Sequence, residues 1–196
     1  MGEVIDTFAR ENLPAIELWP EIDLTHSAYH YPDRFNCVTR FLDQWIEKGE
    51  GDRTALVTPS DRWTYDHLYQ QVNRIAHVLV EDYALAPGNR VLLRSANNPM
   101  MLATYLAVMR VGGIAVGTMP LLRSTELSDI LNKARITHAL CDWRLRDELE
   151  VCRDRAPDLT TIGYFHSTAS DGLEALMHGK PTEFTAFDSA IDDVCL

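Results

Sequence analysis

From about residue 90 onward, short apolar runs alternate with longer stretches of helical period. Val91-Leu92-Leu93, Ile114-Ala115-Val116 and His138-Ala139-Leu140-Cys141 lack polar alternation, the pattern of strands covered on both faces. Thr161-Ile162-Gly163-Tyr164 reads as a fourth strand. Between the first two runs, Asn97 or Asn98 caps a helix that has Pro99 in its first turn. Leu102, Tyr105, Leu106 and Met109 form its inward stripe, and Gly112-Gly113 stops it. Ser124 is positioned to cap the next helix, with Leu127, Ile130, Leu131 and Ala134 inward, and Arg144 to Arg155 reads as a further helix. Such alternation implies right-handed crossovers and an α/β fold: a parallel sheet with helices on both faces.

Upstream, Leu68, Val72, Ile75, Ala76, Leu79 and Val80 make one stripe of a helix capped by Thr64, while Gln70, Gln71, Asn73 and Arg74 face out. Ala55–Thr58 and Arg62–Thr64 read as two short strands around the turn Pro59-Ser60-Asp61. Val38, Phe41, Leu42 and Trp45 give another helical face, with Asn36 as its N-cap and Gly49-Glu50-Gly51-Asp52 at its end. The expected organisation is an extended N-terminal arm over 1–35 carrying aromatic anchors, an α/β unit over 36–164, and an irregular segment over 165–196. That last segment ends in Val194-Cys195-Leu196, the first half of a truncated strand with an open sheet edge.

Composition narrows the class. The 196 residues are 46% hydrophobic and 24% charged, ordinary for a globular protein, and the formal net charge is −11. Phosphate contacts need clustered Lys and Arg, so this balance argues against a nucleic-acid binder, and equally against docking on an anionic membrane. Met100 to Leu122 is apolar and long enough to span a bilayer. Arg110 near its centre would cost about 2.5–3.5 kcal/mol there, and Gly112-Gly113 and Pro120 interrupt it, so helix followed by strand is the better reading. The start, Met1 to Asp6, is acidic and lacks the basic-then-apolar order of a signal peptide; Asp6 occupies the position where a myristoylation motif has Ser or Thr. Cys37, Cys141, Cys152 and Cys195 are widely spaced, without metal-ligand spacing, and read as reduced thiols of a cytoplasmic protein.

Most chemical templates fail. There is no GxSxG elbow and no GxGxxG after the Val91 strand, whose following turn is Ser95-Ala96-Asn97-Asn98-Pro99. Gly172 through Gly179-Lys180 is too long for a phosphate loop, with Pro181 where a magnesium-binding hydroxyl belongs. His26 and His30 stand at i and i+4 but lack the HExxH glutamate, and Asp192-Asp193 would point apart on a strand. Solvated side chains explain both pairs.

Three segments nevertheless resemble the adenylate-forming superfamily of acyl-CoA synthetases, luciferases and peptide-synthetase adenylation domains. Trp63-Thr64-Tyr65-Asp66-His67-Leu68 with Val72-Asn73-Arg74-Ile75-Ala76 is similar to its "TY.EL...vnr.A..L" pattern. Pro87-Gly88-Asn89-Arg90-Val91 through Asn98 is similar to "GDRV....pNs", and Ala107 through Val116 with Pro120, Ser124, Glu126 and Leu127 to "A..kaGavvvPl.p....eEl". Together they cover about residues 36 to 142 in the expected order. Asp6 through Pro14, Asn36-Cys37 and Gly51 through Leu56 further resemble the benzoate and 2-aminobenzoate CoA ligase branch.

The resemblance implies a reaction. A carboxylate attacks the α-phosphorus of ATP and pyrophosphate leaves; the thiol of CoA then displaces AMP from the acyl-adenylate. Magnesium, a lysine and loop N–H groups offset the repulsion between the anions, and losing one such donor costs roughly 3–4 kcal/mol. The family's Gly/Ser/Thr-rich phosphate loop follows the segment matched by Asp192–Leu196, so these 196 residues by themselves are expected to be inactive and to bind no cofactor. No catalytic or metal-binding residue carries over. In some CoA ligases a basic residue just after the proline matching Pro120 contacts the CoA nucleotide; here Leu121 follows, and Arg123 is the nearest basic candidate. Two other readings stand beside this one: a non-catalytic interaction or regulatory module pairing through its open edge, and an adenylation domain feeding a carrier protein.

Overall fold

The computed structural model describes residues 3–196; Met1 and Gly2, and with them part of the signal-peptide and myristoylation comparison, lie outside the described residues. Two short antiparallel strands, β1 (Thr54–Val57) and β2 (Arg62–Thr64), precede a four-stranded parallel sheet. Its strands are β3 (Arg90–Arg94), β4 (Ile114–Thr118), β5 (His138–Asp142) and β6 (Thr161–Phe165), in the order β4-β3-β5-β6. Every residue of β3 and β5, the two central strands, is buried, as their unbroken apolar runs require.

Side chains alternate across the sheet and sort the core into two halves. Val91, Leu93 and Leu140 pack with α3 (Tyr65–His77), α4 (Pro99–Arg110) and α7 (Leu173–Met177). Leu92, Ala139 and Cys141 pack with α5 (Ser124–Lys133) and α6 (Arg146–Glu150). Helices therefore cover both faces. Two shorter helices, α1 (Phe8–Glu11) and α2 (Gln44–Glu47), lie upstream. Thr64 accepts from the His67 N–H at 3.1 Å and Asn98 from the Met101 N–H at 2.9 Å, so both act as the N-caps that their positions suggest.

Several expectations change. Ser124 is the first residue of α5 and not its cap: the Glu126 carboxylate accepts the Arg123 N–H at 3.2 Å and Glu148 accepts the Ser124 N–H at 2.8 Å. The helix expected over Arg144–Arg155 is broken into a 3₁₀ turn, α6 and a second 3₁₀ turn at Arg153–Arg155. Val80 is 42% exposed and Val78 buried instead, because α3 runs into a π-helical turn at Val78–Asp82 that changes the residues-per-turn phase. A second π-helical stretch, Thr39–Asp43, runs into α2, and Phe41 is exposed while Val38 and Leu42 are buried. Asn73 also turns inward, donating to the Thr182 carbonyl at 2.7 Å. Leu102 and Tyr105 are the less covered side of α4, while Ala103, Ala107 and Val108 are fully buried. In the segment expected to be irregular, α7 buries Leu173 and Met177.

The arm is not held by its later aromatics. Trp19, Tyr29 and Tyr31 are exposed. The contacts are instead Asp6 with Arg90 at 2.5 Å, Phe8 beneath the guanidinium groups of Arg90 and Arg135, and Arg10 with Asp192 and Asp193. Ser27–Tyr29 is a single 3₁₀ turn, so His26 and His30 do not share a helical face. Lys180 pairs with Glu81 and Asp82, which gives the glycine-flanked lysine an ordinary surface role. Arg110 is buried in a bidentate pair with Asp43 (2.7 and 3.1 Å) and also donates to the Phe184 carbonyl, so the charge that argued against a bilayer span ties α4 to the π-helical stretch ahead of α2. Among the described residues, no helix is long and apolar enough to cross a membrane.

Candidate functional site

The carboxyl ends of the sheet strands gather the polar residues that could meet a ligand. Open parallel sheets bind ligands in the crevice at that edge, where successive connections leave to opposite faces. Here α4 leaves β3 toward one face and α6 leaves β5 toward the other, so the ends of β3 and β5 flank such a crevice.

Asp142, the last residue of β5, is its centre. Its carboxylate accepts from the Arg144 N–H at 3.0 Å, from Arg144 Nε at 2.8 Å and Nη2 at 2.5 Å, and from His166 Nδ1 at 2.9 Å. Burial by itself would raise the Asp142 pKa. The hydrogen bonds from Arg144 and His166 outweigh it and hold the group well below the usual carboxylate range. Register explains the meeting: Asp142 is paired with Phe165, which puts His166 just past the end of β6 beside it. The His166 backbone is left-handed (φ +54°), and its N–H donates to Glu174 Oε1 at 2.6 Å. On the β3 side, the Ser95 hydroxyl lies 3.4 Å from Asp142 and accepts from Asn98 Nδ2 at 2.8 Å.

A second groove adjoins it. Arg94, 1% exposed, has no carboxylate partner; its guanidinium donates to the carbonyls of Met119, Pro120, Leu122 and Leu145 and so fixes the loop between β4 and α5. Arg123 leaves that loop with its side chain largely in solvent and pairs with Glu148 at 2.8 Å, which lowers the Glu148 pKa. Arg94, Arg123 and Arg144 line the same groove, with Asp147 and Glu148 on its rim. Three guanidinium groups suit an anionic ligand, and the carboxylates show that the groove is not uniformly basic.

Arg123, the candidate from sequence, lies in the adjacent groove, while Asn98 stands in the Asp142 crevice as a helix cap, with Arg144 between. Sequence reasoning missed Asp142, Arg144 and His166. The one available signal was a charged residue directly ending the apolar run His138–Cys141.

This is a parallel α/β domain of the ligand-binding type, with its polar crevice at the carboxyl edge. Comparison with known proteins is more specific: residues 42–189 match the family described as AMP-binding enzyme, and the chain belongs to that family. It is 23% identical over 171 residues to a benzoate--CoA ligase of Thauera aromatica, covering 87% of this chain and 32% of that protein. It is 32% identical over 134 residues to malpinin synthetase of Mortierella alpina, covering 68% of this chain and 2% of that protein. Among solved structures, the anthranilate CoA ligase AuaEII in complex with anthranoyl-AMP superposes with a TM-score of 0.78 at 22% identity, over 84% of this chain and 31% of that one; this shows a shared fold. The chain spans about a third of the length of the benzoate--CoA ligase it matches.

Proposed function

We propose that this chain is the N-terminal part of an ATP-dependent, AMP-forming CoA ligase for an aromatic acid, benzoate or 2-aminobenzoate, and that it does not turn over by itself. The observation that carries the reading is the 171-residue match to the benzoate--CoA ligase, which is longer than the family match and takes in most of this chain. Two 3-hydroxybenzoate ligases among the relatives, one of Aromatoleum sp. and one of Thauera aromatica, support an aromatic substrate.

Among the described residues, no group of three or more His, Cys, Asp and Glu side chains is placed to hold a metal ion. The reading assigns magnesium and the ATP phosphates to sequence outside these 196 residues. What this part contributes is a wall: Arg94 sets the loop after β4, and Arg123 faces solvent where a CoA phosphate could displace Glu148. The reading also places the protein in the cytoplasm. Self-association would use the outer side of the 194–196 segment, which lies along β4 through the bond from the Ala115 N–H to the Cys195 carbonyl.

The test is a reading frame extended past Leu196, assayed with ATP, CoA and either acid. AMP, pyrophosphate and the aromatic CoA thioester are expected from the long protein and none from the 196-residue chain. Calorimetry on that chain should show no heat with ATP; micromolar ATP binding overturns the division of labour. In the long protein, Arg123→Ala should raise KM for CoA several-fold and leave kcat unchanged; an unaltered KM removes Arg123 from the CoA path. A second reading, adenylation feeding a carrier protein, is favoured by the higher identity to a protein named as a synthetase and not as a CoA ligase. Thioester formation on free CoA separates the two.

A further inference from the structure

Cys37 and Cys195 are 158 positions apart in sequence, yet both line the same cavity and the same groove. Each is fixed from a different direction. Cys37 follows Asn36, whose side-chain amide donates to the Met109 and Phe187 carbonyls at 3.1 Å each, and Cys37 Sγ lies 3.8 Å from Met109 Sδ. The Cys195 carbonyl accepts the Ala115 N–H at 3.0 Å, so it occupies the outer edge of β4. Both thiols are half-buried. They lie between a cavity of about 110 Å³ under the N-terminal arm and a more apolar groove bounded by Phe41, Leu56, Tyr105 and Leu196, and both line each of these spaces. The other two cysteines differ: Cys141 and Cys152 are fully buried, and their thiols donate to main-chain carbonyls.

We propose that Cys37 and Cys195 form a reversible thiol-modification site at which a low-molecular-weight disulfide closes an intramolecular disulfide between them. Cys195 attacks first. Its thiolate displaces one thiolate from the small disulfide, giving a mixed disulfide on Cys195. The Cys37 thiol then loses its proton and attacks the Cys195 sulfur, expelling the second small thiolate. Two protein thiols are oxidised, one disulfide is reduced to two thiols, and the protons lost from the protein are taken up by the leaving thiolates.

The order of attack follows from the contact. Cys37, held protonated by its hydrogen bond to Cys195 and by burial, donates to the Cys195 sulfur and lowers that thiol to about 7, so Cys195 is the group that is substantially thiolate near neutral pH. Burial instead pushes the Cys141 thiol up to about 12, which keeps it inert. Closure would tie the start of the helix after Asn36 covalently to the segment along β4, adding to the hydrogen bonds that residues 33–36 already make with 187–191.

The experiment treats the folded chain with oxidised glutathione at neutral pH, blocks remaining thiols, and maps peptides under non-reducing conditions. The expected result is a Cys37–Cys195 crosslinked peptide, loss of these two thiols together, reversal by dithiothreitol, and Cys141 and Cys152 unmodified. Failure to react, a lasting glutathione adduct without closure, or crosslinks to Cys141 or Cys152 each overturn the proposal. The Cys37→Ser chain should instead accumulate glutathione on Cys195, and the Cys195→Ser chain should leave Cys37 unreacted over the same time; glutathione on Cys37 at the rate of wild-type closure overturns the assigned order. The wild-type map decides by itself should either variant fail to fold.

Discussion

At the scale of single residues, Asp142 is a heavily committed group. Its side chain is 1% exposed and meets Arg144 and His166 directly. Because the folded carboxyl lies below its ordinary range, the unfolded chain binds its proton first as the pH falls. Its contribution is therefore complete above the ordinary Asp range near pH 4 and is lost as the pH drops through and below it. Asp142→Asn keeps the shape, removes the charge, and leaves the Arg144 and His166 donors poorly matched. Urea titration should show a loss of roughly 1–3 kcal/mol at pH 7, the range for an unmatched buried polar group, and a smaller loss near pH 3, where the unfolded carboxyl has taken up its proton and the folded one has not. Equal losses at both pH values would mean that the ion pairs contribute nothing through charge. How such a residue could be found from sequence is instructive. Its position, ending a buried strand, was visible, but its partner His166 was not. The two meet only through the β5–β6 register, which no local pattern encodes.

At the scale of elements, local rules were read correctly where they are local. The caps Thr64 and Asn98 and the buried runs of β3, β4 and β5 follow from residue type and spacing within one turn or strand. The inward faces were misread where the helical phase shifts or a partner in space draws a residue in. Two π-helical stretches shift the inward face, so Phe41 and Val80 turn out and Val78 turns in. Asn73 is drawn in because the Thr182 carbonyl accepts from it. Arg110 gives this competition an energetic test. Its pair with Asp43 joins α4 to the π-helical stretch ahead of α2, with both Asp43 oxygens used. Removing one partner strands the other charge, so Asp43→Ala should cost about 3–5 kcal/mol. Replacing both with apolar residues of similar volume, Arg110→Met with Asp43→Leu, should recover most of that loss. Chemical denaturation of the single and double variants measures it; a double variant as unstable as Asp43→Ala would show that shape, not charge, sets the joint.

At the scale of the whole molecule, order is unevenly distributed, and the N-terminal arm shows where. From Leu13 to Tyr31 its large apolar residues are exposed, Leu18 by 77% and Ile16 by 69%. Its backbone bonds there are turns such as Leu18 to Ala15 and Tyr29 to His26, which pin nothing to the body. Both ends are fastened, however. The Ile5 and Asp6 N–H groups donate to the Pro87 carbonyl, Asp6 pairs with Arg90, and Arg10 reaches Asp192 and Asp193; at the other end the Phe35 N–H donates to Ser189. A bridge secured at both ends, with its large apolar residues exposed between them, should open locally without unfolding the sheet. Chymotrypsin under native conditions should therefore cut first between Leu13 and Tyr31, near Trp19, Tyr29 or Tyr31, and leave residues 36–165 intact. The released piece carrying Asp6, Phe8 and Arg10 should co-elute with the body on size exclusion at low salt and separate at high salt, because its fastening is chiefly ionic and cation–π. First cuts inside 36–165 would place the weakest structure in the sheet layer and contradict the division between a tethered arm and a packed core.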